Sequence, residues 1–482
     1  MKVLVLNPPS TVTKNYIRDL IYGCWCKGKR IGGATSPPLN LLYIATILKN
    51  DGHKVKFVDA LAEEKSIDDI KKIIKQTDVV IESTSQMSFT DDVHVLTQFK
   101  KANPKLVTIL FGSQPTFYPE EALDQKAVDI LVKREAEFII KDVLHLMEQG
   151  KDWGKVLGIA YRKNGKKIIN PDYPFSDVNK LPIPDRTFLP KNIDFFNPII
   201  KRMPYTTAMT SRGCPGLCTF CNVPDFYGKT DRFMTAERVI EEIKEIMKLG
   251  YREIWFRDET FTAFPKRNEI ICNWLIKNKV DLTWIANARV NMITKDMMKL
   301  MKKAGCHMIK FGVESSNQEI LNRVKKGIKV SKTKEVFSWA NEIGIGTHAH
   351  TMIGMPGDTK ETVEATIQFI KEINPTTATF GICTPYAGTP MFNEVLEKNP
   401  AIKDGSSLSK VRLHVDAYYS KHFTKVSNKD LQRYLKKAYR EFYFRPSYIW
   451  KWIKRIDNLD ELKRVLLAGS NVFSFATNKK MS

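Results

Sequence analysis

No stretch of about 18 consecutive apolar residues occurs in the 482-residue sequence, so no helix of the length needed to span a bilayer is expected. Cysteine is scarce. There are eight, unevenly spaced, which is too few for a disulfide framework in a chain of this size and points to a reducing, cytoplasmic setting. The opening Met1–Leu6 is apolar but short for a signal peptide, and Asn7-Pro8-Pro9 stops it, so it reads as a first strand. Acidic residues are in deficit: 53 Asp and Glu face 76 Lys and Arg, a net charge of +23. Residues 403–482 carry 18 Lys and Arg against 7 Asp and Glu, hence +11 of that excess. Such a balance suits an anionic substrate, an anionic membrane or nucleic acid, or else a Lys-rich solvated surface.

Against that scarcity, three of the eight cysteines crowd into Arg212-Gly213-Cys214-Pro215-Gly216-Leu217-Cys218-Thr219-Phe220-Cys221. Three thiolates on one loop can hold three corners of a four-iron cubane. Such a cluster normally takes four cysteines, and no fourth lies nearby, so one iron is left for another ligand. The alternatives are a zinc site or unrelated core cysteines. Zinc favours four protein ligands in paired Cys-x2-Cys units, and core cysteines rarely cluster this way.

Apolar patterning divides the chain into four regions: 1–140, 141–200, 201–395 and 396–482. In 1–140, strands are expected at Lys2–Leu6, Val55–Asp59, Val79–Glu82, Val107–Phe111 and Ile130–Val132. Helices are expected at Pro38–Asn50, Ile67–Lys75 and Val93–Lys101. Alternation of this kind implies a doubly wound α/β parallel sheet with a ligand at the carboxyl ends of its strands. In 141–200, Asn164-Gly165 marks a hairpin and Leu181-Pro182-Ile183-Pro184 an extended segment, together read as an interdomain connector. In 201–395, helix and strand units repeat. They predict a partial (βα)6 barrel whose site lies at the carboxyl ends of its strands. Cys272, Cys306 and Cys383 read as core residues. His348 and His350 share one side of a strand and read as packed residues, with proton donation as the alternative. The C-terminal region is helical. Its stretch from Phe442 to Arg455 mixes aromatics with cations, which fits a helix capping the barrel, a membrane surface, nucleic acid or a substrate lid.

The cysteine loop resembles the Cys-x3-Cys-x2-Cys loop of radical S-adenosylmethionine (AdoMet) enzymes, and the chain as a whole resembles their cobalamin-dependent branch. The pieces similar to that branch's cobalamin domain are Ser36-Pro37-Pro38-Leu39-Asn40-Leu41-Leu42-Tyr43, Gly52–Asp59, Gly112-Ser113-Gln114-Pro115-Thr116 and Pro119-Glu120-Glu121-Ala122-Leu123. The resemblance implies a 4Fe-4S cluster on Cys214, Cys218 and Cys221, with AdoMet on the open iron as the source of a 5′-deoxyadenosyl radical. It implies AdoMet contacts at Phe220, Asp258, Glu259, Arg289, Glu314 and Gly354, and cobalamin contacts at Asn7, Ser10, Ser83, Ser85, Gly112 and Ser113. The chain lacks the Asp-x-His-x-x-Gly loop that supplies a lower-ligand histidine in some cobalamin domains. Cobalamin is therefore expected without such a ligand, and His53 sits in a turn ill-suited to that role. Cys24 and Cys26 are too closely spaced to form a metal site alone.

The expected activity is methylation of an unactivated carbon of a large, apolar or lipid-like substrate. The Phe-Arg-Pro segment at 444–446 resembles one in the bacteriochlorophyll oxidative cyclase and hopanoid-pathway relatives, and favours such a substrate. Radical oxidative cyclisation is the alternative within the same chemistry, and a non-catalytic cobalamin carrier or sensor is the alternative outside it. An RNA methylthiotransferase would need three further cysteines before residue 214, where only Cys24 and Cys26 occur, so nucleic acid is not the expected partner. The expected partner is a one-electron reductant of the ferredoxin or flavodoxin type, with peripheral membrane contact through the C-terminal region.

Overall fold

Strict alternation of apolar side chains shapes the N-terminal sheet. Val3, Val5, Val79, Ile81, Ile109 and Phe111 point to one face, and Leu4, Leu6, Val80, Leu110 and Leu131 to the other. Both faces are apolar, so both must be covered, as in parallel sheets generally. Helices Leu39–Asn50 and Glu137–Glu148 cover the first, and Ile67–Ile74 and Phe89–Ala102 the second. The computed structural model describes residues 1–11, 34–191, 193, 195–229, 232–403, 415–453, 455, 456 and 458–477, with backbone only at 451. Cys24 and Cys26 lie outside these residues, as does Lys454 of the C-terminal basic-aromatic stretch.

The N-terminal strands are β1 (Lys2–Asn7), β2 (Lys54–Asp59), β3 (Val79–Thr84), β4 (Val107–Gly112), β5 (Ile130–Val132), β6 (Ile159–Lys163) and β7 (Lys166–Ile169). Their order is β2-β1-β3-β4-β5-β6-β7. The first five run parallel, while β6 and β7 pair antiparallel at the edge. The hairpin expected in the connector is therefore the edge of this sheet. Its turn is the tight kind that the sequence signals, with Asn164 and Gly165 at φ of 52° and 77°. Chain order reverses between β1 and β3, which opens a crevice at the carboxyl ends of those two strands.

The strands of the second unit are β8 (Tyr205–Ala208), β9 (Ser211–Arg212), β10 (Arg232–Phe233), β11 (Glu253–Phe256), β12 (Thr283–Ala288), β13 (Cys306–Glu314), β14 (Gly346–Ile353) and β15 (Thr377–Ile382). Six of them form a wholly parallel sheet in the order β15-β14-β13-β12-β11-β8. Ile254, Phe256, Ile309, Phe311, Ala349 and Ile353 face the outer helices. Their alternate neighbours Trp255, Lys310 and His348 consequently face the barrel interior. Cys272 and Cys306 are buried in the outer core, and Cys383 packs with Met355 and Met391.

The exposed edge of β15 is closed by aromatic hydroxyls. The helix Asn428–Tyr443 lies along it, with Tyr439 donating to the Phe380 carbonyl at 3.2 Å and Tyr443 to Ala378 at 2.5 Å. Tyr448, from the helix Pro446–Ile453, donates to Thr376 at 3.0 Å. An open strand edge is a hazard, and these groups satisfy it. Part of the aromatic stretch thus caps the barrel. Ile449, Trp450 and Ile453 of the same stretch remain exposed, at 50%, 59% and 58%.

The proline-rich segment after the hairpin is anchored by Arg186. Its buried guanidinium donates to Glu242 at 2.6 Å, to the Thr207 carbonyl at 2.8 Å and to Thr206 at 3.2 Å. The two sheets also meet directly. The helix Val223–Tyr227 buries Val223, Phe226 and Tyr227 in the N-terminal core. Arg212 pairs with Glu137, and Arg232 with Glu135. Gln86 accepts from the Ala387 N–H at 2.8 Å, and Phe117 fills the space where a side chain at Gly388 would lie.

Candidate active site

The cysteine loop leaves the barrel through a short buried run, Thr210-Ser211-Arg212. Gly213 follows at φ +94°, a conformation that only glycine adopts readily. Asp258 holds this run in place. Its Oδ1 accepts from the Thr210 N–H at 2.9 Å, the Thr210 hydroxyl at 2.8 Å and the Ser211 hydroxyl at 2.5 Å. Asp258 is fully buried. Burial pushes its carboxyl upward, against the charge of Arg267 and these hydrogen bonds. Its Oδ2 has no hydrogen-bond partner among the described residues.

Downstream, the loop is tied at Thr219, whose N–H donates to the Val324 carbonyl at 3.0 Å and whose carbonyl accepts from Met391 at 3.0 Å. Cys214 and Cys221 are half-buried and Cys218 is buried; all three are free thiols. Cys214 Sγ accepts from the Gly216 N–H at 3.4 Å and lies 3.6 Å from the Thr260 hydroxyl. Arg289 Nη1 donates to Cys218 Sγ at 3.7 Å. A methyl at Gly216 would meet Arg289 at 2.7 Å, so this departure from a larger residue makes room for the guanidinium. Burial raises the Cys214 and Cys221 thiols. The carboxylate of Glu259 raises Cys214 further, while Arg289 opposes it. Metal binding would therefore release protons here. Among the described residues, no three His, Cys, Asp or Glu side chains converge as ligands of one ion. The Cys214 and Cys218 sulfurs lie close enough to Cys221 to raise its thiol, and three neighbouring thiolates on one loop are the donor set that a cubane takes, each on a separate iron.

Glu314 ends β13 at φ +64°, beside a register shift between Gly312 and Glu314. That irregularity re-aims a side chain in the way bulges next to sites commonly do. The buried Glu314 carboxylate accepts from Lys326 Nζ at 2.7 Å. Lys326 also lies 5.7 Å from the centroid of the Phe220 ring, and its carbonyl accepts from Arg289. Phe220, Cys218, Arg289, Glu314 and Lys326 therefore form one connected group.

Gly354 stands in sequence between Met352 and Met355, which pack in one apolar cluster with Phe220. At φ +75° it turns the chain after β14, and a methyl there would meet Leu431 of the helix Asn428–Tyr443 at 2.9 Å. The six residues of the N-terminal loops do come together at the carboxyl ends of β1, β3 and β4. The Asn7 amide donates to Asp59 at 2.7 Å, and the Ser10 hydroxyl to Asp91 at 2.7 Å. Ser83 is buried at the end of β3. Ser85 and Ser88 cap one another, with Ser85 N–H donating to Ser88 Oγ at 3.0 Å. Gly112 turns at φ +125°, and Ser113 Oγ accepts from the Gln86 N–H at 3.1 Å. The crevice is thus lined with small side chains whose polar atoms brace its own loops. That suits a large cofactor held by shape and backbone. His53 lies at the opposite end of β1, 3.4 Å from the Met1 amino group, so it is far from any cofactor in the crevice.

Lys326 and Thr260 were not legible in the sequence. Lys326 sits in a Lys-Lys-Gly run that resembles solvated surface, and nothing local marks it as buried. Thr260 is hidden inside the acidic run that draws attention to its neighbours.

Comparisons with known proteins agree with this geometry. A family model described as the radical SAM superfamily matches residues 209–370, and one described as a B12 binding domain matches residues 32–144. An uncharacterized methyltransferase of Pyrococcus horikoshii is 33% identical over 456 residues, covering 94% of each chain. The anaerobic magnesium-protoporphyrin IX monomethyl ester cyclase of Rubrivivax gelatinosus is 29% identical over 75% of this chain and 67% of its own. The solved structure of the radical AdoMet methyltransferase TsrM of Kitasatospora setae, with cobalamin and a 4Fe-4S cluster bound, superposes with a TM-score of 0.68. It covers 82% of this chain and 78% of that one, at 18% identity. The chain belongs to the cobalamin-dependent radical AdoMet enzymes, a family of methyltransferases and cyclases. Its cofactors are a 4Fe-4S cluster, AdoMet and cobalamin.

Proposed function

We propose that this enzyme methylates an unactivated carbon of a large, mainly apolar substrate. One observation carries the reading. The crevice face of the N-terminal sheet is packed against the strand-end face of the barrel, through Gln86 on Ala387 and Phe117 on Gly388. A methyl carrier in the first and a radical source in the second would then share one enclosed space. When bound, the cluster and AdoMet supply a hydrogen-abstracting radical, and cobalamin supplies the methyl group.

The chain's own residues do the rest. Cys214, Cys218 and Cys221 hold the cluster, and Arg289 orients Cys218 by donating to its Sγ. Glu259 and Glu314 offer carboxylates to the amino and hydroxyl groups of AdoMet. Phe220 shields the loop from water. Asn7, Ser10, Ser83, Ser85, Gly112 and Ser113 shape the cobalamin crevice.

Anaerobic turnover with methyl-labelled AdoMet tests the reading. Label recovered in product supports it. 5′-Deoxyadenosine without labelled product supports oxidative cyclisation, the reading that the 29% identity to the cyclase favours. Full biological activity after replacing all three cysteines would leave only a cobalamin carrier or sensor.

A ferredoxin- or flavodoxin-type protein supplies the electron. No helix among the described residues is long and apolar enough to cross a membrane. The exposed Ile449, Trp450 and Ile453, in a region rich in Lys and Arg, support a peripheral contact with anionic lipid. Co-flotation with anionic vesicles, lost in Trp450→Asp, checks that contact.

A further inference from the structure

The cysteine loop is gripped by the domain that does not carry it. Arg212 stands two residues before Cys214 and is buried. In the β9–β10 ribbon it lies directly opposite Arg232. Like charges facing each other across a strand pair are destabilising. The acids that answer them come from the N-terminal sheet, where Glu135 and Glu137 follow β5 and are buried as well. Both Nη1 and Nη2 of Arg212 donate to the Glu137 carboxylate, the first at 3.3 Å, so the pair is a two-point fork. Glu135 answers both arginines. Its Oε2 lies 3.6 Å from Arg212 Nη1 and accepts from Arg232 Nη1 at 3.0 Å. The Ser176 N–H donates to the same oxygen at 3.0 Å.

The exit of the loop closes onto the same group. The helix Val223–Tyr227 begins two residues after Cys221. Its last residue, Tyr227, sets its ring centroid 5.3 Å from the Arg212 guanidinium, and its carbonyl accepts from Arg232 Nη2 at 2.9 Å. Cys214 and Cys221 themselves pack against the N-terminal core. Asp258 holds Thr210 and Ser211 from the barrel, and Glu137 holds the next residue from the other domain.

A buried ion pair pays heavily in desolvation, so stability alone is a weak reason for one. Direction is a better reason. Two parallel bonds fix the plane of a guanidinium, and a point contact does not. Gly213, at φ +94°, carries that fixed direction into Cys214. We infer that Glu137, with Glu135 beside it, is a positioning residue for the iron–sulfur cluster. It acts from the cobalamin domain, through Arg212, and sets where Cys214 presents its sulfur. This rests on Cys214, Cys218 and Cys221 holding the cluster, and adds that the frame of the cluster is completed by the domain that binds cobalamin.

The rate of cluster loss to an excess of a ferrous chelator tests it, on full-length protein reconstituted anaerobically with iron, sulfide and cobalamin. Retained cobalamin reports that each variant has folded. Arg212→Lys keeps the buried charge but replaces the fork with a point contact. Glu137→Gln keeps the shape and removes the carboxylate. Each should lose its cluster about tenfold faster than the unsubstituted protein, since partners behind metal ligands are worth about 10–100-fold in metal affinity. Each should also alter the electron paramagnetic resonance spectrum of the reduced cluster. The comparison is Glu253→Gln, which breaks a buried pair with His307 at the amino ends of the barrel strands. It should keep both the original rate and the original spectrum. An unchanged rate and spectrum in folded Arg212→Lys overturn the inference, even if Glu137→Gln fails to fold. So does Glu253→Gln losing its cluster as fast as the other two, because the grip would then be one of general stability. Unsubstituted protein that takes up no 4Fe-4S cluster would defeat the reading of the three cysteines, and this inference with it. A cluster that forms and is indifferent to Arg212 and Glu137 defeats this inference alone.

Discussion

Two strand-end faces meet in this molecule, and they are built on different principles. The N-terminal crevice presents Asn7, Ser83, Ser85 and Ser113, small neutral groups, with the carboxylates of Asp59, Asp91 and Asp92 behind them engaged by Asn7, Ser10 and Thr84. The barrel end is made from charges: Asp258 and Glu314 buried, Arg289 on Cys218, Lys326 on Glu314. The first can hold a bulky cofactor by shape with little electrostatic demand. The second must neutralise thiolates and the charged ends of AdoMet, which small hydroxyls cannot do. Substitutions should therefore damage the barrel end abruptly and the crevice gradually.

The sharpest separation comes from the cysteines. Cys214→Ala, Cys218→Ala or Cys221→Ala should each reduce 5′-deoxyadenosine formation to background and lower iron content, while bound cobalamin is retained. Loss of cobalamin together with iron would erase the distinction between the two faces. Next is the buried ion pair. Lys326→Met leaves the Glu314 carboxylate buried without its partner and should cost about 3–5 kcal/mol in denaturant unfolding. Lys326→Met combined with Glu314→Gln should recover most of that loss. If the double variant is as unstable as the single, the pair is not the cause.

The seam between the faces is more forgiving. Gly388 sits at φ +77°, and any side chain there overlaps the Phe117 ring. Gly388→Val should cost about 2 kcal/mol from backbone strain and overpacking. It should weaken cobalamin binding with iron content unchanged.

His348 gives the barrel a pH dependence of its own. Its native pKa lies well below the unfolded value, so stability is fully present above about pH 6.5. Below that, the unfolded chain takes up a proton that the native state refuses. Stability should fall as the pH drops below 6.5, by up to about 1.4 kcal/mol per unit, and His348→Gln should flatten that part of the profile. The smallest effect is expected in the crevice. Ser113→Ala removes the acceptor of the Gln86 N–H and should cost about 1 kcal/mol, with a modest loss of cobalamin affinity read by equilibrium dialysis.

Much of this arrangement was legible from periodicity. The strand at Ile130–Val132 has its expected limits, and the barrel has the six parallel strands expected. Where polar residues do structural work, the pattern hid the elements. β3 runs on to Thr84, and its following helix begins at Phe89 rather than Val93. Asp91 and Asp92 break the apolar spacing there, yet they are buried, accepting from Ser10 and Thr84. The hairpin was visible as a hairpin, but nothing in its sequence says which sheet it joins. At the site, the cysteine spacing exposes the loop because few other uses fit it. Lys326 stayed hidden because a buried lysine and a solvated one have the same local sequence, and only the fold brings Glu314 to it. Asp258 and Glu259 are adjacent in sequence, but only the structure distinguishes the brace of the loop from the neighbour of Cys214.

The central claim is that one chain holds the radical source and the methyl carrier on facing surfaces. The most direct measurement is the iron, sulfide and cobalamin content of the anaerobically purified and reconstituted full-length protein. The account predicts about four irons and four sulfides, as in a 4Fe-4S cluster, together with about one cobalamin per chain. A full complement of iron and sulfide with no cobalamin retained would contradict it.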